Sequence, residues 1–214
     1  MGRTLTSLFS ASDEQMMWRV KMQDDSQAFA RLVARWEKPI QRLCARMTGD
    51  AHRAEDLTQT AFARVFARRA DWQPVGRFST FLWRVALNLC HDDLRRTRRR
   101  GEFSLDALDD EDGAGVENLA GDEPAPDAQA DSHERGALVR QALLELAPHY
   151  REVVVLRHYQ GLKFREIGEV LGIPEGTVKS RMAEALGQLH RLLKHVNEDV
   201  SCKRKTQTPE LRAP

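Results

Sequence analysis

Apolar residues recur at three- and four-residue spacing through most of this chain, the period of a helix with one buried face. Phe29, Leu32, Val33 and Trp36 form such a face, and Asp25 or Ser26 stands where its cap belongs. Pro39 is expected to interrupt it; Ile40, Leu43, Cys44 and Met47 resume the spacing until Gly49. Asp50 can cap a third helix whose inward residues are Leu57, Ala61, Phe62, Val65 and Phe66. Trp72, Pro74 and Gly76 mark a loop, and Ser79 is the expected cap of a fourth helix. Its apolar side is Phe78, Phe81, Leu82, Val85, Ala86 and Leu89. Nothing in this first block alternates with the period of a strand.

The pattern returns after a long polar interval. Leu138, Ala142, Leu143 and Leu146 make one face, and Tyr150, Val153, Val154 and Leu156 the next. The three valines alone suit a strand. Their place between Pro148 and two further helical patterns favours a helix. Of those two patterns, the first has Phe164, Ile167, Val170 and Leu171 on its apolar side. Gly172 follows where a left-handed terminating residue is needed, and Pro174 where a helix starts. The second buries Val178, Met182, Ala185, Leu186 and Leu189 and turns Thr177, Ser180, Arg181 and Glu184 outward. Two short helices around a tight glycine turn make a helix-turn-helix, whose second helix fits a DNA major groove. A helical hairpin that merely packs is the alternative reading of the spacing alone.

Charge sharpens this picture. The net charge of +1 conceals a segregation. Residues 1–100 carry 19 Lys and Arg against 11 Asp and Glu, whereas residues 101–135 carry 1 against 12. A basic block followed by an acidic connector suits a nucleic-acid binder. Arg95, Arg96, Arg98, Arg99 and Arg100 exceed what a helix C-terminus needs, so phosphate contact accounts for them better. Residues 104–135 combine Asp, Glu, Gly, Ala and Pro with few apolar positions, and read as a flexible linker. No apolar run approaches membrane-spanning length, and the N-terminus lacks a signal-peptide pattern. Three widely spaced cysteines, Cys44, Cys90 and Cys202, fit a reducing cytoplasm.

The stretch LKFREIGEVLGIPEGTVKSRM, and IPEGTVKSR above all, resembles the promoter-reading domain of bacterial RNA polymerase sigma factors. The closest group is the small extracytoplasmic-function (ECF) sigma factors of the sigma-70 family. The resemblance spans roughly residues 25–100 and 137–195. It implies an all-α protein of two small helical domains joined by a flexible acidic linker. Residues 1–24 are then an N-terminal extension, 25–100 a region 2-like domain and 101–136 the linker. Residues 137–197 form a region 4-like helix-turn-helix domain, and 198–214 a disordered tail.

The resemblance also implies sites. Arg165, Thr177, Lys179, Ser180 and Arg181 would read the minus-thirty-five element. Trp72, Arg77, Trp83, Asn88, Asp92, Arg95, Arg96 and Arg99 would meet the minus-ten element, where the family melts DNA and traps an extruded base. That task suits aromatics for stacking and arginines for the backbone. A core role competes for Trp83, Phe78 and Phe81, because aromatics at helical spacing more often pack inside. Asp50, Glu55, Asp56, Gln59 and Phe62 would lie on a helix that docks on core RNA polymerase. The acidic residues among them also suit a helix start on their own account.

One departure bears on specificity. Ala183 and Glu184 follow Met182 where the family often has aromatic or basic residues. Glu184 could accept from cytosine or pair with Arg181 at i, i+3. The expected partners are core polymerase and promoter DNA, with an anti-sigma protein as a candidate third. The expected setting is the cytoplasm, without membrane insertion and without a cofactor. The runner-up is an autonomous helix-turn-helix regulator, which needs neither the docking helix nor the arginine-rich one. An enzyme is the third class. Its best metal cluster, Cys90-His91-Asp92-Asp93, points around a helix and cannot converge on one ion.

Overall fold

The computed structural model describes residues 12–73, 76–103 and 126–206, with side chains of 101–103, 126–135 and 195–206 left aside. Every regular element among the described residues is a helix. The first domain is built from α1 (Asp13–Gln23), α2 (Ser26–Thr48), α3 (Ala51–Ala67) and α4 (Phe78–Phe103). The second is built from α5 (Pro126–Glu145), α6 (Pro148–Val154), α7 (Phe164–Leu171) and α8 (Glu175–Thr206). A π-helical turn over Val155–Tyr159 extends α6, so the valine triplet is helical as its neighbourhood suggested.

Side-chain caps set the boundaries. Ser12 and Gln15 form a reciprocal capping box at the start of α1. Asp25 accepts from the Ala28 N–H to start α2, and Asp50 accepts from the Arg53 N–H to start α3. Gly49 ends α2 at φ 80°, and Gly172 ends α7 at φ 69°. Both lie in the left-handed region that an L side chain enters at a cost.

Two helix boundaries differ from the sequence expectation. Pro39 does not interrupt: α2 runs through it as one helix of 23 residues. Proline removes one internal hydrogen bond, but Leu32, Ile40, Leu43 and Met47 are all fully buried, and that packing holds both halves in line. Ser79 does not provide the cap of α4. The Phe78 N–H is instead taken by the Glu14 carboxylate at 3.1 Å, a cap supplied from α1. Met16, Met17 and Val20 of α1 are buried in the same core. The expected linker, 101–136, overlaps the end of α4 and the start of α5, and its residues 104–125 lie outside the described part. The expected tail overlaps α8, which continues to Thr206, and residues 207–214 lie outside the described part.

The two domains share one continuous apolar cluster. In the first, Leu82, Ala86 and Leu89 of α4 pack with α2 and α3. In the second, Ile167, Val170, Val178 and Met182 hold α7 against α8. Burying such side chains contributes about 1.5–3 kcal/mol each. The docked domains place α4 against α7, which sets the geometry of the candidate site.

Candidate nucleic-acid interface

The α7–α8 pair has the form that a helix-turn-helix requires. Glu166 accepts from the Lys163 N–H at 2.8 Å and starts α7. That hydrogen bond, with Arg77 and Lys163 nearby, holds the Glu166 carboxyl below its ordinary pKa. Gly168 is buried where the chain turns, and a Cβ there would stand 2.8 Å from the Ile173 carbonyl. Glycine at 168 therefore lets the turn close on α7. Beyond it Val178, Met182 and Ala185 face inward.

The polar side of α8 is rotated from the expected one. Lys179 and Ser180 are exposed and Thr177 is half-buried. Lys179 pairs with Glu175 at 2.7 Å, and the Ser180 hydroxyl donates to the Thr177 carbonyl. Arg165 is exposed on α7 beside Glu169. Arg181 turns away from these residues, its Nη1 lying 3.3 Å from Glu152 Oε1 of α6. Glu184 is not its partner; Glu184 accepts from Gln188 and lies near Arg191.

The residues expected at the minus-ten element divide into two sets. Trp72 and Trp83 are buried, and Trp83 meets Trp36 edge to face. Arg77, Asn88, Arg95, Arg96 and Arg99 are exposed, and Asp92 is half-exposed beside Arg95. The helix thus carries its aromatics in the core and its polar groups on the surface. Cys90, His91, Asp92 and Asp93 point in four directions. The Cys90 thiol is pushed well up by a hydrogen bond with Cys44 and by burial, while Asp93 lies near Arg53.

On α3, Glu55, Asp56 and Gln59 form an exposed strip, and Asp50 caps the helix. Phe62 is not on it. It is buried and meets Phe29 edge to face.

The face between the domains carries contacts that the sequence pattern does not show. Arg84 of α4 donates to the Glu169 carbonyl at 2.6 Å and to the Val170 carbonyl at 3.2 Å, capping the end of α7. Arg77 meets Glu166 at 2.5 Å. Arg151 is buried and donates to the Leu143, Leu144, Leu146 and Met47 carbonyls, joining α6 to the ends of α5 and α2. Burial lowers its pKa, and the four carbonyls offset the loss of water around the cation. His91 Nε2 lies 2.9 Å from Glu152 Oε2, too oblique for a directed hydrogen bond. Arg84, Arg151 and Glu152 had no sequence signal, and Arg77 and His91 were singled out for other roles: a charged residue inside a helical pattern reads as a solvated one.

Comparison with known proteins fits this division. Residues 32–100 match the model for sigma-70 region 2, and residues 137–189 the model for sigma-70 region 4. The ECF RNA polymerase sigma factor SigW of Bacillus subtilis is 36% identical over 176 residues, covering 79% of this chain and 91% of SigW. The chain belongs to the ECF sigma factors of the sigma-70 family. SigE of Mycolicibacterium smegmatis is 37% identical over 168 residues, 78% of this sigma factor and 62% of SigE. CnrH, solved in complex with the cytosolic domain of CnrY, shares the fold at a TM-score of 0.64 and 23% identity. That match covers 86% of this chain and 99% of CnrH. RpoE of Bartonella quintana, solved with the anti-sigma factor NepR, gives 0.61 at 19% identity over 78% of this chain and 98% of RpoE. Both α4 and α8 are therefore helices of a promoter-specific initiation factor. No helix among the described residues is long and apolar enough to cross a membrane.

Proposed function

We propose that this sigma factor brings core RNA polymerase to a restricted set of promoters through three surfaces. The exposed strip Glu55, Asp56 and Gln59 on α3 engages core polymerase, and Asp50 holds the start of that helix. The exposed polar residues of α4, with Arg77 before it, meet the melted minus-ten strand. Arg165, Thr177, Lys179 and Ser180 approach the minus-thirty-five duplex, with Arg181 joining them once released from Glu152. The observation that carries this reading is the pairing, in one chain, of the α7–Gly172–α8 turn with an acidic docking strip and an arginine-rich helix.

An anti-sigma protein is a fitting regulator, since RpoE of Bartonella quintana was solved with the anti-sigma factor NepR. Its site of action is the cytoplasm, where polymerase works. The deciding experiment is transcription in vitro with core polymerase and a genomic promoter library. A discrete set of start sites dependent on this chain is expected. Duplex binding without any polymerase association in a pull-down would instead identify an autonomous regulator and overturn the proposal.

A further inference from the structure

Trp18 and Met22 stand one turn apart on α1. Among the described residues they are the large apolar side chains that the first domain leaves exposed, at 46% and 58%. The other tryptophans of that domain, Trp36, Trp72 and Trp83, all pack against its core. An indole left in water is therefore the exception here. Helix α1 precedes residues 32–100, the part that matches sigma-70 region 2, and none of the three proposed surfaces includes it.

Helix α1 is fastened to the end of one promoter-facing element and the approach to it. Lys21 Nζ donates to the Trp72 carbonyl at 2.7 Å, and Glu14 accepts from the Phe78 N–H at 3.1 Å, where α4 begins. Glu14, Trp18 and Lys21 follow each other at i, i+4 and i+7, so they share one side of the helix. Trp18 thus stands between the two fastenings, beside the start of α4 and its preceding residue Arg77. The outer face continues through Gln15, Arg19 and Met22, all exposed. Both carboxylates of α1 are engaged away from that face, Asp13 by Arg35 and Trp36, and Glu14 by the Phe78 amide. What remains is an indole, a thioether, an amide and a guanidinium, the last shared with Asp25 at 2.6 Å. The docking strip on α3, with Glu55 and Asp56, has the opposite composition.

Resting on the functional reading above, we infer that this face of α1 is a further subsite for the melted promoter strand, with the Trp18 indole as the stacking platform for one unpaired base. The chemistry favours that occupant over a protein segment. Every base offers a flat face, and stacking on an aromatic ring needs no particular sequence. Met22 extends the apolar surface by one turn, and the Arg19 guanidinium suits a phosphate. A duplex keeps its bases within the stack, so the platform takes single strands and not double ones. Glu14 and Lys21 are positioning residues: they hold Trp18 beside the start of α4, where the same strand is proposed to lie.

The test uses the full chain assembled with core polymerase. The probe is a pool of randomised single strands of about 12 nucleotides, within the usual span of such sites. A randomised duplex pool is the comparison. Wild type, Trp18→Ala and Trp18→Phe are measured, with thermal unfolding by circular dichroism as the folding check. Trp18→Ala is expected to weaken single-strand binding at least about fivefold, the loss of one stacked base. Trp18→Phe keeps a ring and should stay within about twofold of wild type. Duplex binding and affinity for core polymerase should be unchanged in both. Single-strand binding untouched by Trp18→Ala would overturn the inference. Equal losses in the two variants would overturn it as well, because a flat ring would then not be what the strand uses. A fall in core polymerase affinity would give the face to polymerase instead. A lower unfolding temperature without loss of strand binding would show that the chain itself covers Trp18, and either result overturns the subsite. Wild type that retains no single strand would locate the error in the minus-ten reading of α4, and the inference would fall with it.

Discussion

The two helices assigned to promoter DNA, α4 and α8, bury different chemistry. In α4 the large aromatics Phe78 and Trp83 are buried with Leu82, Ala86 and Leu89, and the polar groups alone are left outside. In α8 the buried side is light, built from Val178, Met182 and Ala185, and the exposed side begins at the helix start. The first helix is therefore a structural member with a polar outer face. The second, on the proposed function, is a reading element propped by the turn before it. Damage to α4 should appear first as lost stability, and damage to α8 as lost recognition.

Trp83→Ala is the strongest challenge to that contrast. Trp83 is 4% exposed and packs on Trp36, so truncation leaves a large cavity. A loss of about 3–5 kcal/mol is expected from denaturant unfolding of the full chain. Asn88→Ala, on the exposed side of the same helix, should change stability by less than about 0.5 kcal/mol. If Trp83→Ala unfolds like wild type and fails only in promoter melting, Trp83 is a stacking platform and the division of α4 is wrong.

Gly172→Val tests the prop beneath α8. Gly172 stands at φ 69° with open space around it, so the cost is backbone strain rather than collision. A β-branched residue there should cost about 1–3 kcal/mol. Hydrogen exchange across α7 and α8 should accelerate while α2 and α3 stay protected. Uniform acceleration throughout both domains would show that the turn supports more than its own domain.

Asp56→Arg separates docking from both reading helices. Asp56 is exposed, and its hydrogen bond from Thr60 uses only its backbone carbonyl. The substitution should therefore leave stability nearly unchanged and weaken core polymerase binding by at least about tenfold, the effect of reversing one rim charge. Undiminished binding in a polymerase titration would remove Asp56 from the docking strip.

The ease of reading these features in the sequence follows their physical range. Helical period, the caps at Asp25 and Asp50, and the glycine turn at Gly172 are local, set by residues within a few positions. They were legible. The core placement of Trp83 was open, because spacing shows that a residue faces inward on its helix but not what it meets. The start of α4 was not legible, since its cap comes from Glu14, 64 residues earlier. Pro39 misled because long-range packing outweighed one lost hydrogen bond. Glu152 and Arg84 look like solvated charges until other helices pack against them, and the outward reading of Arg181 failed for the same reason. Its partner is 29 residues away on another helix rather than one turn along its own.

The smallest effect is the one that defines α8 as a reader. Lys179 is exposed in the first turns of α8 and pairs with Glu175, a surface pair worth little. Its ammonium is a point charge suited to phosphate, which carries no sequence information. Lys179→Ala should therefore weaken all duplexes alike, by a few-fold at moderate salt, and lower the salt slope by about one unit. Arg181 is different, because a guanidinium can grip guanine through two bonds and discriminate by about 1–3 kcal/mol. Arg181→Ala should relax preference at one or two positions of the selected consensus. Selection from a randomised duplex pool at two salt concentrations reads both. The expected pattern is a uniform loss with a shallower slope for Lys179 and a local loss of consensus for Arg181. A consensus untouched by Arg181→Ala would mean that its guanidinium serves only Glu152. Base reading would then fall to Thr177 and Ser180, the hydroxyl side chains near the start of α8.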